Sequence, residues 1–173
     1  ADIPLVPQTR SMALSPDGRL AALLASGFTP NLGMGFPVDA PPAVLQVVDV
    51  GSFKLRSKTV LDVQPYGVCV SDLGTVYLSG CWKDLFQGIG GYAGGSRTPS
   101  KRVKGYEGAI LRMSADQKWV FTGIGAFGRF NPSSGASFLP GNRSPASLPE
   151  GLARGDYRLA PDGLHLVGAG GAV

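Results

Sequence analysis

Ser11-Met-Ala-Leu-Ser-Pro-Asp-Gly-Arg-Leu-Ala-Ala-Leu23 is the stretch from which the fold can be read. An apolar run meets a serine, Pro-Asp-Gly turns the chain, and a second apolar run leaves. Pro16 presets φ for the first central position of a type I turn, and Asp17 suits the second. Gly18 supplies the positive φ that turns it into a β-hairpin with a bulge.

Three further segments repeat the pattern: 67–79, 110–122 and 156–168. Their turns are Ser71-Asp-Leu-Gly74, Ser114-Ala-Asp-Gln117 and Ala160-Pro-Asp-Gly163. Gln117 takes the place of the closing glycine, which makes its turn the least comfortable of the four. The turn-entry residues Ser15, Ser71, Ser114 and Ala160 are spaced by 56, 43 and 46 residues. Blades of four antiparallel strands repeat at roughly 40–45 residues. An outer strand pair follows in 43–56 and again in 128–139, while no clear outer pair stands between Cys81 and Tyr106. The fold expected is all-β, one domain of β-propeller blades over 1–173, with four recognisable inner hairpins in a small or partial propeller. A β-sandwich carries similar hairpins, but the regular spacing favours blades.

Pro65-Tyr-Gly-Val-Cys-Val-Ser-Asp-Leu-Gly-Thr-Val-Tyr-Leu-Ser-Gly80 resembles the inner hairpin of bacterial YVTN-type and WD-like propeller repeats, and Ser15 to Gly18 is similar to their commonest turn. The resemblance implies the propeller fold and says little of function. The chain stops just past the second strand of the fourth hairpin, so the last blade lacks outer strands. Either Ile3-Pro-Leu-Val6 supplies one of them, or a protein partner or second copy completes the ring.

Composition agrees with a strand-and-turn protein. The 173 residues include 26 Gly and 14 Pro without a collagen-like period. No apolar run approaches the ~18 residues of a membrane span. The net charge of +4 comes from one loop: without Arg97, Lys101, Arg102 and Lys104, 12 basic residues balance 12 acidic ones. Four charges give only a modest salt-dependent attraction to phosphates, so nucleic acid is not the expected partner. The chain opens at Ala1-Asp2, which fits removal of a leader or simple trimming. The location expected is periplasmic or extracellular, with the cytoplasm left open.

The remaining motifs are weak in chemistry. Gly123-Ile-Gly-Ala-Phe-Gly128 and Gly88-Ile-Gly-Gly-Tyr-Ala93 spell a dinucleotide fingerprint, but Asn131-Pro132 and Gly94-Gly95 prevent the helix that phosphate binding needs. Both read as loops. The single histidine, His165, has no nucleophile elbow to serve. Asp17, Asp72, Asp116 and Asp162 are used in turns. No catalytic residue, metal site or cofactor is expected. Cys69 pairs with Tyr77 across its hairpin, and Cys81 lies four residues further along the ladder, too far for a bridge unless the chain folds back after Gly80.

The long connections after each second strand (27–42, 81–107 and about 124–127) fall on one face. With Phe130 at their margin, they carry eight of the 15 aromatics. Loops on a rigid scaffold are where binding resides, and aromatics with arginine anchor interfaces. The contact residues expected are Trp82, Phe86, Tyr92, Arg97, Lys101, Arg102, Lys104, Phe127 and Arg129. The function expected is non-enzymatic protein binding or scaffolding within a larger assembly. A lactonase-like hydrolase or quinoprotein-like dehydrogenase subunit is the alternative.

Overall fold

The computed structural model describes residues 6, 9–26, 41–80, 89–93, 96–97, 110–124, 126–134, 137–138, 157–159 and 166–168. They form fourteen strands and, among the described residues, no helix. The first sheet is a meander of β1 (Thr9–Leu14), β2 (Leu20–Ala25), β3 (Val44–Asp49) and β4 (Lys54–Val60). The second repeats it with β5 (Val68–Val70), β6 (Val76–Ser79), β7 (Ile89–Ala93) and β8 (Ser96–Arg97). The third does so with β9 (Ile110–Met113), β10 (Val120–Ile124), β11 (Ala126–Phe130) and β12 (Ser137–Phe138). A fourth, two-stranded sheet pairs β13 (Tyr157–Leu159) with β14 (Leu166–Gly168). All pairings are antiparallel, and no ladder among the described residues joins one sheet to the next.

The four expected hairpins are therefore present as strand pairs, and so are the outer pairs of the first and third repeats. Cys69 stands opposite Tyr77, as the turn geometry requires. The second repeat differs from the expectation: β7 and β8 supply the outer pair that its sequence did not show. Gly90 and Gly91 interrupt the apolar alternation of β7, although Ile89 and Tyr92 are both buried. The two fingerprint-like stretches are strands rather than loops. Ile89–Ala93 is β7, and Gly123–Gly128 spans the end of β10 and most of β11 around residue 125. No helix among the described residues is long and apolar enough to cross a membrane.

Alternation along the strands builds the core between sheets. Leu20, Ala22, Leu24, Leu45 and Val47 of the first sheet meet Val68, Val70, Val76 and Leu78 of the second. The next residue along β5, Cys69, points the other way and joins Ile89 against Leu111, Val120 and Phe130 of the third sheet. Tyr77 meets the Phe130 ring edge-on, with centroids 6.1 Å apart. Each fully buried Leu or Val contributes about 1.5–3 kcal/mol by leaving water. The second sheet is thus covered on both faces, which explains why β5 is buried at every residue.

Candidate functional site

The turns entering β2, β6 and β10 are built from the same parts. Ser15 is buried, and its N–H donates to the Leu20 carbonyl at 2.9 Å. Its hydroxyl donates to Asp17 Oδ1 at 2.6 Å and accepts from the Leu20 N–H at 3.0 Å. The Arg19 N–H donates to the same Asp17 oxygen at 2.9 Å. Ser114 repeats each contact with Asp116 at 2.6 Å and with the Trp119 N–H at 3.0 Å. These bonds, the serine hydroxyl first, hold the Asp17 and Asp116 carboxyls below the ordinary carboxylate value. Gly18, Gly74 and Gln117 all take positive φ, at 72°, 85° and 59°. The turn-closing position is left-handed in each, with or without glycine.

The second turn is one residue shorter, since the Ser71 N–H donates to the Thr75 carbonyl at 2.9 Å. Its third position is Leu73, which is exposed and offers no carboxylate to Ser71. The acid comes one place earlier, at Asp72, and reaches sideways. Asp72 Oδ1 accepts the Asp17 N–H at 3.0 Å. The Asp72 N–H donates to Gln117 Oε1 at 3.0 Å, and Gln117 Nε2 donates to Asp72 Oδ2. Asp72 therefore bonds the turn before it and the turn after it, so the three turns lie in a row at one end of the stacked sheets.

The β3–β4 turn joins that end. Asp49 Oδ1 accepts the Ser52 N–H at 2.9 Å and the Ser52 hydroxyl at 2.8 Å, while Asp49 Oδ2 accepts from Arg56 at 2.9 Å. The Ser52 bonds, then Arg56, draw the Asp49 carboxyl down to about 2. The Val50 N–H donates to the Arg19 carbonyl at 2.8 Å. Asp17, Arg19, Asp49, Ser52, Arg56 and Asp72 border a cleft of about 390 Å³ between these turns. Each of its carboxylates already has a donor within the chain, and no group of three or more His, Cys, Asp or Glu fit for a metal stands among the described residues.

The structure divides the contact residues expected from sequence. Trp82, Phe86, Lys101, Arg102 and Lys104 lie outside the described residues. Tyr92 is in β7 with its side chain buried, and Arg97 stands opposite it in β8. Arg129, in β11, is exposed with its guanidinium 4.4 Å above the Trp119 ring. Antiparallel order puts these three at the turn-row end. Phe127 stands opposite Gly123, at the far end. β10 ends at Ile124 and β11 begins at Ala126, so most of the expected 124–127 connection is strand. The turn row itself was not anticipated: Asp17, Asp72 and Asp116 read as turn acids, but nothing in their spacing showed that Asp72 reaches two neighbouring sheets.

No protein family and no curated protein matches the chain. Among solved structures it is similar to the hydrazine synthase of Kuenenia stuttgartiensis, at 15% identity and a TM-score of 0.52. The likeness covers 78% of this chain and 35% of that one, so the chain spans about a third of that protein's length. At this identity the likeness concerns the fold alone.

Proposed function

We propose that the chain is a run of propeller blades acting as a non-enzymatic protein-binding or scaffolding module of a larger assembly. The observation that carries this reading is the division of the molecule between two ends. The tight turns of three sheets are tied to one another through Asp72 at one end. The chain between β2 and β3, and between β6 and β7, leaves and re-enters at the other. A rigid stack that gathers its longer connections on one face suits recognition. Trp82 and Phe86 belong to the β6–β7 connection. Lys101, Arg102 and Lys104 belong to the β8–β9 connection on the same side, and Phe127 borders it. Tyr92, Arg97 and Arg129 lie at the other end and drop out of the proposed face.

The test is partner capture by the wild-type chain and by Trp82→Ala/Phe86→Ala from extract of the source organism. Loss of a specific partner with unchanged far-UV circular dichroism supports the reading. Undiminished capture by the folded double variant overturns it.

A further inference from the structure

β4 stands at one edge of the first sheet, and among the described residues β3 is its one ladder partner. At seven residues it is the longest described strand, whereas its counterparts β8 and β12 have two each. Lys54, Leu55, Arg56, Lys58 and Val60 are exposed along it. The direction of its backbone groups follows from one bond. The Leu61 N–H donates to the Ala43 carbonyl at 2.8 Å, one step beyond the Val44–Val60 pair. Bonded and unbonded pairs alternate along an antiparallel ladder. Thr59 therefore aims its N–H and C=O at β3, and Lys58 and Val60 aim theirs away from the sheet.

The register also sorts the side chains. Leu55, Lys58 and Val60 stand opposite Val48, Gln46 and Val44, on one face of the sheet. The bulge between Val47 and Val48 leaves Arg56 over and puts Lys54, opposite Asp49, on the other face. Arg56 is bonded to Asp49, while Lys54 and Lys58 are in no ion pair among the described residues. From Phe53 to Leu61 the chain has no acid. Lysines on an edge keep uncharged strands away, because pairing would bury them unanswered. A strand with carboxylates at the matching places answers them, so the device that guards this edge also selects its occupant.

We propose that β4 docks an extended acidic segment of another protein as one more antiparallel strand. The segment sets an acid opposite Lys58, between two apolar residues that meet Val60 and Leu55. A second acid stands opposite Lys54, and the segment's backbone bonds the outward groups of Lys58 and Val60. Antiparallel order is that of every described ladder. A nucleic acid would meet the same cations but lacks the amides to pair with the edge. The surface uses none of the residues of the loop face proposed above.

Fluorescence anisotropy on the 173-residue chain tests the proposal with a labelled, end-capped peptide, Thr-Val-Thr-Glu-Thr-Val-Glu. The wild type binds it about tenfold tighter than a copy with lysine for glutamate, and than a copy N-methylated at its central amides. Lys54→Glu/Lys58→Glu reverses the preference between the two charged peptides, with the far-UV spectrum unchanged. Val60→Pro removes one outward N–H and no bond to β3, and weakens binding with every charge in place. A wild type that does not bind the glutamate peptide overturns the proposal. Equal binding of the N-methylated copy does so too, as does a preference that survives the charge reversal. Equal or tighter binding of oligothymidine, competed by the peptide, assigns the strand to nucleic acid and also overturns it. Should Val60→Pro unfold, the N-methylated copy decides the backbone contact alone. None of these outcomes bears on partner capture through Trp82 and Phe86, so the two readings fail separately.

Discussion

Asp72 and Gln117, 45 residues apart, close a reciprocal pair between two sheets. The Asp72 N–H donates to the Gln117 side-chain oxygen, and the Gln117 amide nitrogen donates back to the Asp72 carboxylate. The pair accounts for the one turn that lacks its closing glycine. Gln117 bears a left-handed φ of 59°, and its side chain makes two bonds that glycine has no atoms to make.

Gln117→Ala keeps the backbone conformation and removes both bonds, one of them to a carboxylate, and is expected to destabilise by about 1–3 kcal/mol. Gln117→Gly loses the same bonds but relieves the left-handed strain. Set against the extra freedom of glycine in the unfolded chain, this leaves it about 0.5–1 kcal/mol more stable than the alanine variant. Urea denaturation of the three proteins measures the order. Equal midpoints for the two variants would remove strain from the account.

The Asp49 carboxyl is drawn down to about 2 by Ser52 and Arg56, from an ordinary 3.8. A folded-state value below the unfolded one adds stability that is complete above 3.8 and is lost as pH falls through about 2. Asp49→Ala is therefore expected to have a lower urea midpoint than wild type at pH 6, with the gap narrowing between pH 4 and pH 2. A gap that stays constant over that range assigns the effect to packing instead.

Cys69 is buried and free, and burial pushes its thiol up, with Arg112 a smaller pull downward. In a Cys81→Ser background, a thiol reagent at pH 8 is expected to leave the native protein unlabelled and to label one site after unfolding in guanidinium. Rapid labelling of the folded variant contradicts the burial.

Thr122 is fully buried in β10, and its Oγ1 has no hydrogen-bond partner among the described residues. Thr122→Val replaces the hydroxyl by a methyl of similar shape. Removing an unsatisfied buried group is expected to raise stability by up to about 1 kcal/mol, read as a higher thermal midpoint. A loss of more than that reveals a bond the hydroxyl makes in solution.

Local structure was legible in the sequence wherever a turn carries its own signature. Pro16-Asp17-Gly18 specifies a hairpin from adjacent residues alone, and the Cys69–Tyr77 register follows from counting outward from its turn. Gly90 and Gly91 hid β7 because strand recognition depends on alternating side chains, and glycine has none to alternate. The row formed by Asp17, Asp72 and Gln117 was hidden for another reason. Its bonds span 55 and 45 residues, and a composition of common turn residues does not reveal which carboxylate leans outward. The cue lies in Leu73, which holds the position where Asp17 and Asp116 cap their own serines, with the acid one place earlier at Asp72.

That displaced acid has a thermodynamic reach beyond its own hairpin. With Asp72 bonded on both sides, the first three hairpins have reason to open as one unit, although each repeat has its own ladder. Amide exchange should then report a single opening free energy for Leu20, Thr75 and Trp119, and Asp72→Ala should split it into separate values. A chain assembled from like parts would thereby acquire the melting behaviour of a single body.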